Sequence, residues 1–314
     1  LINLGINSSD GLHSLGALTT HITDDGSLSL KNAKYKESFH SLDGALKETQ
    51  EKFLRPAEII RFKGQKTISI LDVCFGLGYN SACLFEELLK TPIEIIWWGL
   101  EIDYRPLKIA LRNPLFKANW SNKILRILKS IECSHQLNLQ NINGKILWGD
   151  ARKRIRDLPN NLKFDLILHD AFSPSKCPQL WSDEFLSNLS QKLASNGRII
   201  TYSSSAAVRG SLKRAGLQVN SIRPNTKTNQ LWSAGTVGIL TNNNYQEKSG
   251  DQSLYFQPLS IMEEEHLLTA SAIPYRDPHG NDYPQDILNR RKEEQIVSGL
   301  ISSSYWRKRW RKAH

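Results

Sequence analysis

The sequence predicts an α/β protein: a mostly parallel, seven-stranded Rossmann-like sheet with an antiparallel edge hairpin and extensions at both ends. Three observations carry this reading. Apolar strand runs alternate with amphipathic helices from Thr67 onward, the first strand runs into a glycine turn, and acids stand at the exits of the next three strands. Strands separated by helices must pair in parallel through right-handed crossovers.

The first strand and turn read ISILDVCFGLGYNS, Ile68–Ser81. Glycine lets backbone approach a ligand closely, and the helix start beyond it offers free N–H groups. Ser81 stands where a dinucleotide fingerprint has its third glycine, which disfavours a nicotinamide cofactor. Next come a strand Ile93–Leu100 ending in Glu101-Ile102-Asp103, a helix Arg105–Arg112 stopped by Asn113-Pro114, and a helix Trp120–Glu132. Lys145–Trp148 is a strand ending in Gly149-Asp150, and Phe164–His169 is a strand ending in Asp170. Asp183–Leu193 (helix), Gly197–Tyr202 (strand), Ala206–Ala215 (helix), Leu217–Ser221 and Thr236–Leu240 (strands) follow. The last two strands lack an intervening helix, hence the edge hairpin.

Before this unit, Asp24-Asp25-Gly26 marks a turn ahead of strand-like Ser27–Leu30. Within Lys34–Pro56, Ser41 is a candidate N-cap for Ala45, Leu46, Thr49, Phe53 and Leu54 at helical spacing. After it, Thr241–Ser253 is a polar linker, Leu259–Leu268 and Gln285–Gly299 are helical, and the end reads YWRKRWRKAH. Three units are expected: 1–66 as an extension over the site, 67–240 as the sheet domain, and 241–314 as linker plus basic helical extension.

With 314 residues, 39% hydrophobic, the chain can bury a real core. Its net charge of +10 points to a polyanionic partner, most often nucleic acid. Four cysteines without C-x-x-C spacing argue against a zinc site or disulfide framework and fit a reducing cytoplasm; no metal is expected. No apolar run reaches membrane-spanning length, and residues 1–20 lack a signal-peptide layout. The chain starts with Leu1, which reads as a truncation or an alternative start codon.

In an open α/β sheet, ligands bind at the carboxyl ends of the strands. Glu101, after the second strand, can accept from ribose hydroxyls; Asp150, after the third, from an adenine amino group; Asp170, after the fourth, lies nearest a reacting centre. Each acid could instead cap the helix that follows it. Beyond Asp170 come Ala171-Phe172-Ser173-Pro174 and Cys177-Pro178-Gln179-Leu180-Trp181. This is a stiff rim whose aromatic can stack on an extruded base.

HDAFSPSKCPQLW, with FGLGYN, GLEID, WGDAR and the upstream FHSLDGALKE, closely resembles the methyltransferase half of the bacterial tRNA 5-aminomethyluridine methyltransferases. The likeness runs from about Leu30 to Leu240 and takes in IPYRDP at Ile273–Pro278. It implies a class-I S-adenosylmethionine methyltransferase fold and transfer of methyl from sulfonium to a primary amine on wobble uridine, completing 5-methylaminomethyl-(2-thio)uridine in the anticodon stem-loop of tRNA. It also implies that Gly76, Gly78, Asn80, Glu101, Asp150, Ala151 and Asp170 hold S-adenosyl-L-methionine, with Tyr35 and His40 closing over it. Asp170 and Phe172 become the catalytic candidates, Asp170 orienting the amine and taking its proton. Neutralising an amine of lysine-like pKa at pH 7 costs roughly 4 kcal/mol, which an aromatic, desolvated pocket offsets in part. His40 and His169 read equally well as packing residues. No second glycine fingerprint follows Leu240, so a stand-alone methyltransferase is expected, without the FAD-dependent oxidase of fused relatives.

Two basic clusters are candidates for RNA contact: Arg152, Lys153 and Arg154, and the terminal Arg307, Lys308, Arg309, Arg311 and Lys312 interleaved with Trp306 and Trp310. The Asn225–Trp232 stretch, basic in many relatives, carries little charge here. The alternatives are an aminopropyltransferase of the spermidine-synthase type, which favours an acidic pocket for a polycation, and a non-catalytic RNA-binding protein on a methyltransferase fold. The oligomeric state is not legible.

Overall fold

The computed structural model describes residues 15–224, 233–241 and 253–311. Its centre is a nine-stranded sheet of β4 (Thr67–Val73), β5 (Glu94–Glu101), β6 (Gln136–Leu139), β7 (Ile142–Trp148), β8 (Phe164–His169), β9 (Leu193–Thr201), β10 (Gln218–Ile222), β11 (Thr236–Ile239) and β12 (Phe256–Pro258). The order is β12-β10-β11-β9-β8-β4-β5-β7-β6. The five central strands, β9-β8-β4-β5-β7, pair in parallel. The seven expected strands are all present, and two more flank them. β6 pairs antiparallel with β7, and β12 covers the open side of β10, so the β10–β11 hairpin is not the edge. Both additions are short and lack long apolar runs, which hid them in the sequence.

One core lies on each sheet face. α2 (Tyr79–Leu88), α3 (Arg105–Arg112) and α5 (Asn122–Ser134) cover the first through Leu84, Phe85, Leu107 and Leu128. Asn113 caps the short α4 (Pro114–Ala118), and Ser121 caps α5. The second face carries α6 (Ala151–Arg154), α7 (Asp183–Gln191) and α8 (Ala206–Arg214), with Trp181, Phe185 and Leu212 inside. Side chains of such size each contribute about 1.5–3 kcal/mol when buried.

The N-terminal residues form a separate antiparallel sheet, β1 (Leu18–Ile22), β2 (Leu28–Asn32) and β3 (Glu37–Ser38). A helix, α1, follows over 45–57 and includes a π turn at Gln50–Leu54. Leu28, Leu30, Ala45 and Phe53 enter the first core. Ser41 is not the N-cap of α1. That position is Gly44, and the first-turn amides of Ala45 and Lys47 donate to Ser27 Oγ (2.9 Å) and Asp25 Oδ2 (3.0 Å) across the turn before β2. A cap supplied from 18–22 residues upstream has no local sequence signature.

The C-terminal part forms α9 (Ile261–His266), α10 (Pro284–Val297) and α11 (Ser303–Arg311). A capping box on Ser260 and Glu263 starts α9, and Tyr275 and Ile287 reach the second core. The Asn225–Trp232 segment and 242–252 of the linker lie outside the described residues. Among the described residues no helix is long and apolar enough to cross a membrane.

Candidate active site

The carboxyl ends of the parallel strands open onto a cavity of about 490 Å³. Glu101, Asp150, Ala151, Asp170 and Phe172 line it from the sheet side; Tyr35, His40, Glu48 and Lys52 line it from the N-terminal side. The three strand-end acids and the N-terminal aromatics Tyr35, Phe39 and His40 thus share one chamber. Gly76, Gly78 and Asn80 do not line it; they build the wall behind it.

That wall needs its glycines. Gly76 has φ +55° and Gly78 φ +90°, both left-handed. A Cβ on Gly78 would lie 2.7 Å from Phe75, and one on Gly76 3.3 Å from Phe39. The turn gives its Gly76 amide to Glu101 Oε2 (2.8 Å), while Glu101 Oε1 accepts from Ile102 (2.7 Å) and Asp103 (2.9 Å). Burial pushes the Glu101 carboxyl up to about 7 against those bonds, which favour its charged form. Ser81 is not a cradle residue. It is buried, donating to Asp72 (2.6 Å) and accepting from Trp97 Nε1 (2.7 Å).

Asp170 sits at the end of β8. Asn80 Nδ2 donates to its Oδ2 at 2.8 Å, and Thr49 Oγ1 donates to Asn80 Oδ1 at 3.1 Å, fixing the amide's orientation. Burial pushes the Asp170 carboxyl up to about 8, with the nearby Glu48 charge adding to the rise and the Asn80 bond opposing it. Next to it, Phe172 stacks on Tyr35 (centroids 4.6 Å apart) and meets Phe39 edge-on (5.0 Å). The loop is tied down by Trp181 Nε1 donating to Phe172 O (2.7 Å), Tyr202 OH donating to Ala171 O (2.8 Å), and Ser173 Oγ donating to Glu37 (2.9 Å).

His40 lines the cavity with its Nδ1 3.1 Å from Ser29 Oγ, and burial drops it to about 4, leaving it neutral at pH 7. His169 packs away from the cavity against Trp181, with Nε2 2.9 Å from Leu180 O.

The basic candidates part company. Arg152 is not a surface residue: its side chain, 12% exposed, pairs with Asp150 and with Asp277, both at 2.7 Å. It clamps a pocket acid to the C-terminal extension through the IPYRDP motif. Lys153 and Arg154 are exposed, Arg154 pairing with Asp157. At the other end, Trp306 is fully buried and stacked on His266 (4.3 Å), so it presents no face to a base. Trp310 donates to Glu265 (2.8 Å), which also pairs with Arg309. Arg307 and Lys308 are exposed. The Arg311 side chain and Lys312 lie outside the described residues.

Comparison with known proteins agrees with this geometry. Residues 114–234 match a family described as S-adenosyl-L-methionine-dependent methyltransferase. The crystal structure of MnmC2 from Aquifex aeolicus superposes with a TM-score of 0.73 at 31% identity, covering 90% of this chain and 86% of that one. The chain belongs to the MnmC2 family of S-adenosyl-L-methionine-dependent methyltransferases. An uncharacterised Methanocaldococcus jannaschii protein is 28% identical over 89% of this chain and 73% of its own length. A Campylobacter hominis relative named tRNA 5-methylaminomethyl-2-thiouridine biosynthesis bifunctional protein is 29% identical over 60% of this chain, which spans only 28% of that relative.

This MnmC2-family site also contains residues that sequence reasoning passed over: Glu37, Phe39, Glu48, Lys52, Cys74 and Tyr202. Tyr202 ends the fifth strand run, so the rule that found the acids could have found it. Glu48 and Lys52 sit at i, i+4 spacing, 2.6 Å apart, and that pattern reads as a solvated helix pair.

Proposed function

We propose that this MnmC2-family chain methylates the primary amine of 5-aminomethyl-(2-thio)uridine at the wobble position of tRNA, in the cytoplasm. The name of the Campylobacter hominis relative, which places it in tRNA 5-methylaminomethyl-2-thiouridine biosynthesis, supports the nucleoside. The observation that carries the chemistry is Asp170, a desolvated carboxyl held by Asn80 beside the stacked Phe172–Tyr35 pair.

The lining suits the cofactor's chemistry. Glu101 uses three of its roughly four acceptor positions on backbone amides, and the remaining one serves a ribose hydroxyl. Asp150, its carboxylate fixed by Arg152, with neighbouring Ala151, bounds the base end. Gly76 and Gly78 let the turn pass close by, and Asn80 holds Asp170. S-adenosyl-L-methionine, when bound, supplies an electrophilic methyl group on a sulfonium.

The protein's own residues prepare the nucleophile. An ammonium brought against the Phe172–Tyr35 aromatic pair loses hydration, which favours the neutral amine. Asp170 hydrogen-bonds the amine and accepts its proton, a role suited to a carboxyl whose affinity for protons is raised. Phe172, backed by its stack with Tyr35, offers its ring to the uracil, and the 15–66 portion covers the chamber of the 67–240 domain while residues 253–311 brace it. Arg307 and Lys308 are the exposed terminal cations for the tRNA backbone.

The test is mass spectrometry of nucleosides from tRNA bearing wobble 5-aminomethyl-2-thiouridine, incubated with protein and S-adenosyl-L-methionine. One added methyl on that nucleoside is expected. A bound cofactor with no methyl gained there would overturn the substrate assignment.

A further inference from the structure

A second cavity, of about 400 Å³, lies beside the catalytic one. Ser204, Ser205, Ala206, His266, Ser271, Arg291 and Arg307 line it, and none of them is acidic. It brings two guanidinium groups from α10 and α11 together with hydroxyls that follow β9.

Arg291 is the informative member. Its Nε donates to Ile273 O (2.7 Å), one terminal nitrogen donates to Ser271 O (2.9 Å), and the guanidinium lies over the Tyr275 ring (4.4 Å). All three partners are neutral. Burial pulls this arginine below its ordinary value, and among the described residues no carboxylate pairs with it. Compare Arg209, which is more deeply buried but pairs with Glu263 at 2.9 Å. A partly buried cation without a counter-charge is costly, and an anion in the cavity would supply one. Arg307, exposed on α11, adds a second charge; burial first, and then Arg307 and Arg209, lower His266 to about 4, so the histidine adds no charge of its own at pH 7. Ser205 is the N-cap of the nine-residue α8 and makes no side-chain cap bond, and it and Ala206 line the cavity, so the start of this helix borders it.

Position decides the class of anion. Tyr202 lines the catalytic cavity and Ser204 lines this one. Only Ser203 lies between them, so their Cα atoms are at most about 7 Å apart. Both cavities open at the carboxyl end of β9.

We propose that this second cavity is a phosphate-binding site that grips the polynucleotide backbone beside the nucleotide whose base enters the catalytic chamber. Arg307 and Arg291 pair with the phosphodiester oxygens, Ser204 and Ser205 donate to them, and the helix start complements their charge. The idea rests on the tRNA substrate proposed above, so its test has two arms.

The first arm follows 31P line broadening of inorganic phosphate with the wild-type protein and with Arg307→Ala, an exposed position whose loss spares the packed core. The second measures tRNA affinity by filter binding across a salt series for the same proteins and for Arg291→Lys. Wild-type broadening that Arg307→Ala reduces, with tRNA affinity lowered about 3- to 10-fold and the log–log salt slope reduced by roughly one contact, supports the proposal. Cofactor affinity should be unchanged, and Arg291→Lys, which keeps the charge, should lose less than Arg307→Ala. Reduced phosphate broadening with an identical tRNA slope overturns the backbone assignment and leaves a free-anion site. No change in either arm overturns the site altogether. Failure of every protein, wild type included, to bind tRNA refutes the substrate reading instead, and the phosphate arm still judges the cavity.

Discussion

The catalytic chamber has two walls of different origin. The sheet-edge wall consists of strand ends whose positions follow from ladder register: Glu101, Asp150 and Asp170 close β5, β7 and β8 and share one edge. The N-terminal wall consists of a hairpin and a helix brought in from outside the sheet, carrying Tyr35, His40, Glu48 and Lys52. It is held by contacts distant in sequence: Glu37 accepts from Ser173, Arg105 donates to Gly16 O (2.9 Å), and α1 is capped from the turn before β2. The first wall supplies the acids. The second supplies the burial and the charge that change what those acids do, as when Glu48 helps lift Asp170. Changes to the edge should therefore abolish steps, and changes to the cover should tune them.

The largest effect belongs to Asp170→Asn, which preserves an acceptor for Asn80 but cannot take a proton. Turnover should fall about 10²–10⁴-fold with cofactor affinity nearly intact, measured by single-turnover methyl transfer and by calorimetry. Glu101→Gln should weaken cofactor binding about 10- to 100-fold, because an amide cannot accept all the N–H bonds the carboxylate accepts. A normal dissociation constant in that variant would remove Glu101 from the cofactor site. Phe172→Ala, which breaks the stack with Tyr35, should raise KM for tRNA by about tenfold or less, with the cofactor little affected.

The cover is tested by pH. Asp170 holds its proton below about 8 in the empty chamber, and the base must be ionised to act. The kcat/KM for cofactor, which reports the free enzyme, should thus rise with pH through that region. Glu48→Gln removes a repelling charge, so the midpoint should move down; an unchanged or higher midpoint would break the coupling between the walls. Smallest of all is Tyr35→Phe. The Tyr35 ring makes the stack, so cofactor and tRNA constants should change less than about twofold, whereas Tyr35→Ala should approach the Phe172→Ala loss.

The two walls also differ in how far the sequence discloses them. Strand exits are legible because a buried parallel strand is a continuous apolar run, and the residue ending it must lie at the ligand-binding edge. Hence Glu101, Asp150, Asp170 and the glycine turn could be located residue by residue, and Tyr202 was available to the same rule. The cover was not legible in this way. Nothing near Ser41 indicates that Ser27 and Asp25 cap α1, and Glu48 and Lys52 look like any exposed i, i+4 pair. Charge was the least informative signal. Arg152 sits in a basic run yet is spent on Asp150 and Asp277, and Trp306 sits in a basic aromatic tail yet is buried against His266. A cluster of cations in sequence does not say which carboxylates the fold will bring to them.

The most direct test of the division of labour is to measure cofactor affinity and methyl transfer on Glu101→Gln and Asp170→Asn side by side with the wild type. The predicted result is a crossed pattern: Glu101→Gln binds S-adenosyl-L-methionine poorly but transfers methyl when the cofactor is in excess, and Asp170→Asn binds it normally but does not transfer. If both variants lose affinity and turnover together, the acids act as one structural unit and the separate roles assigned to them are wrong.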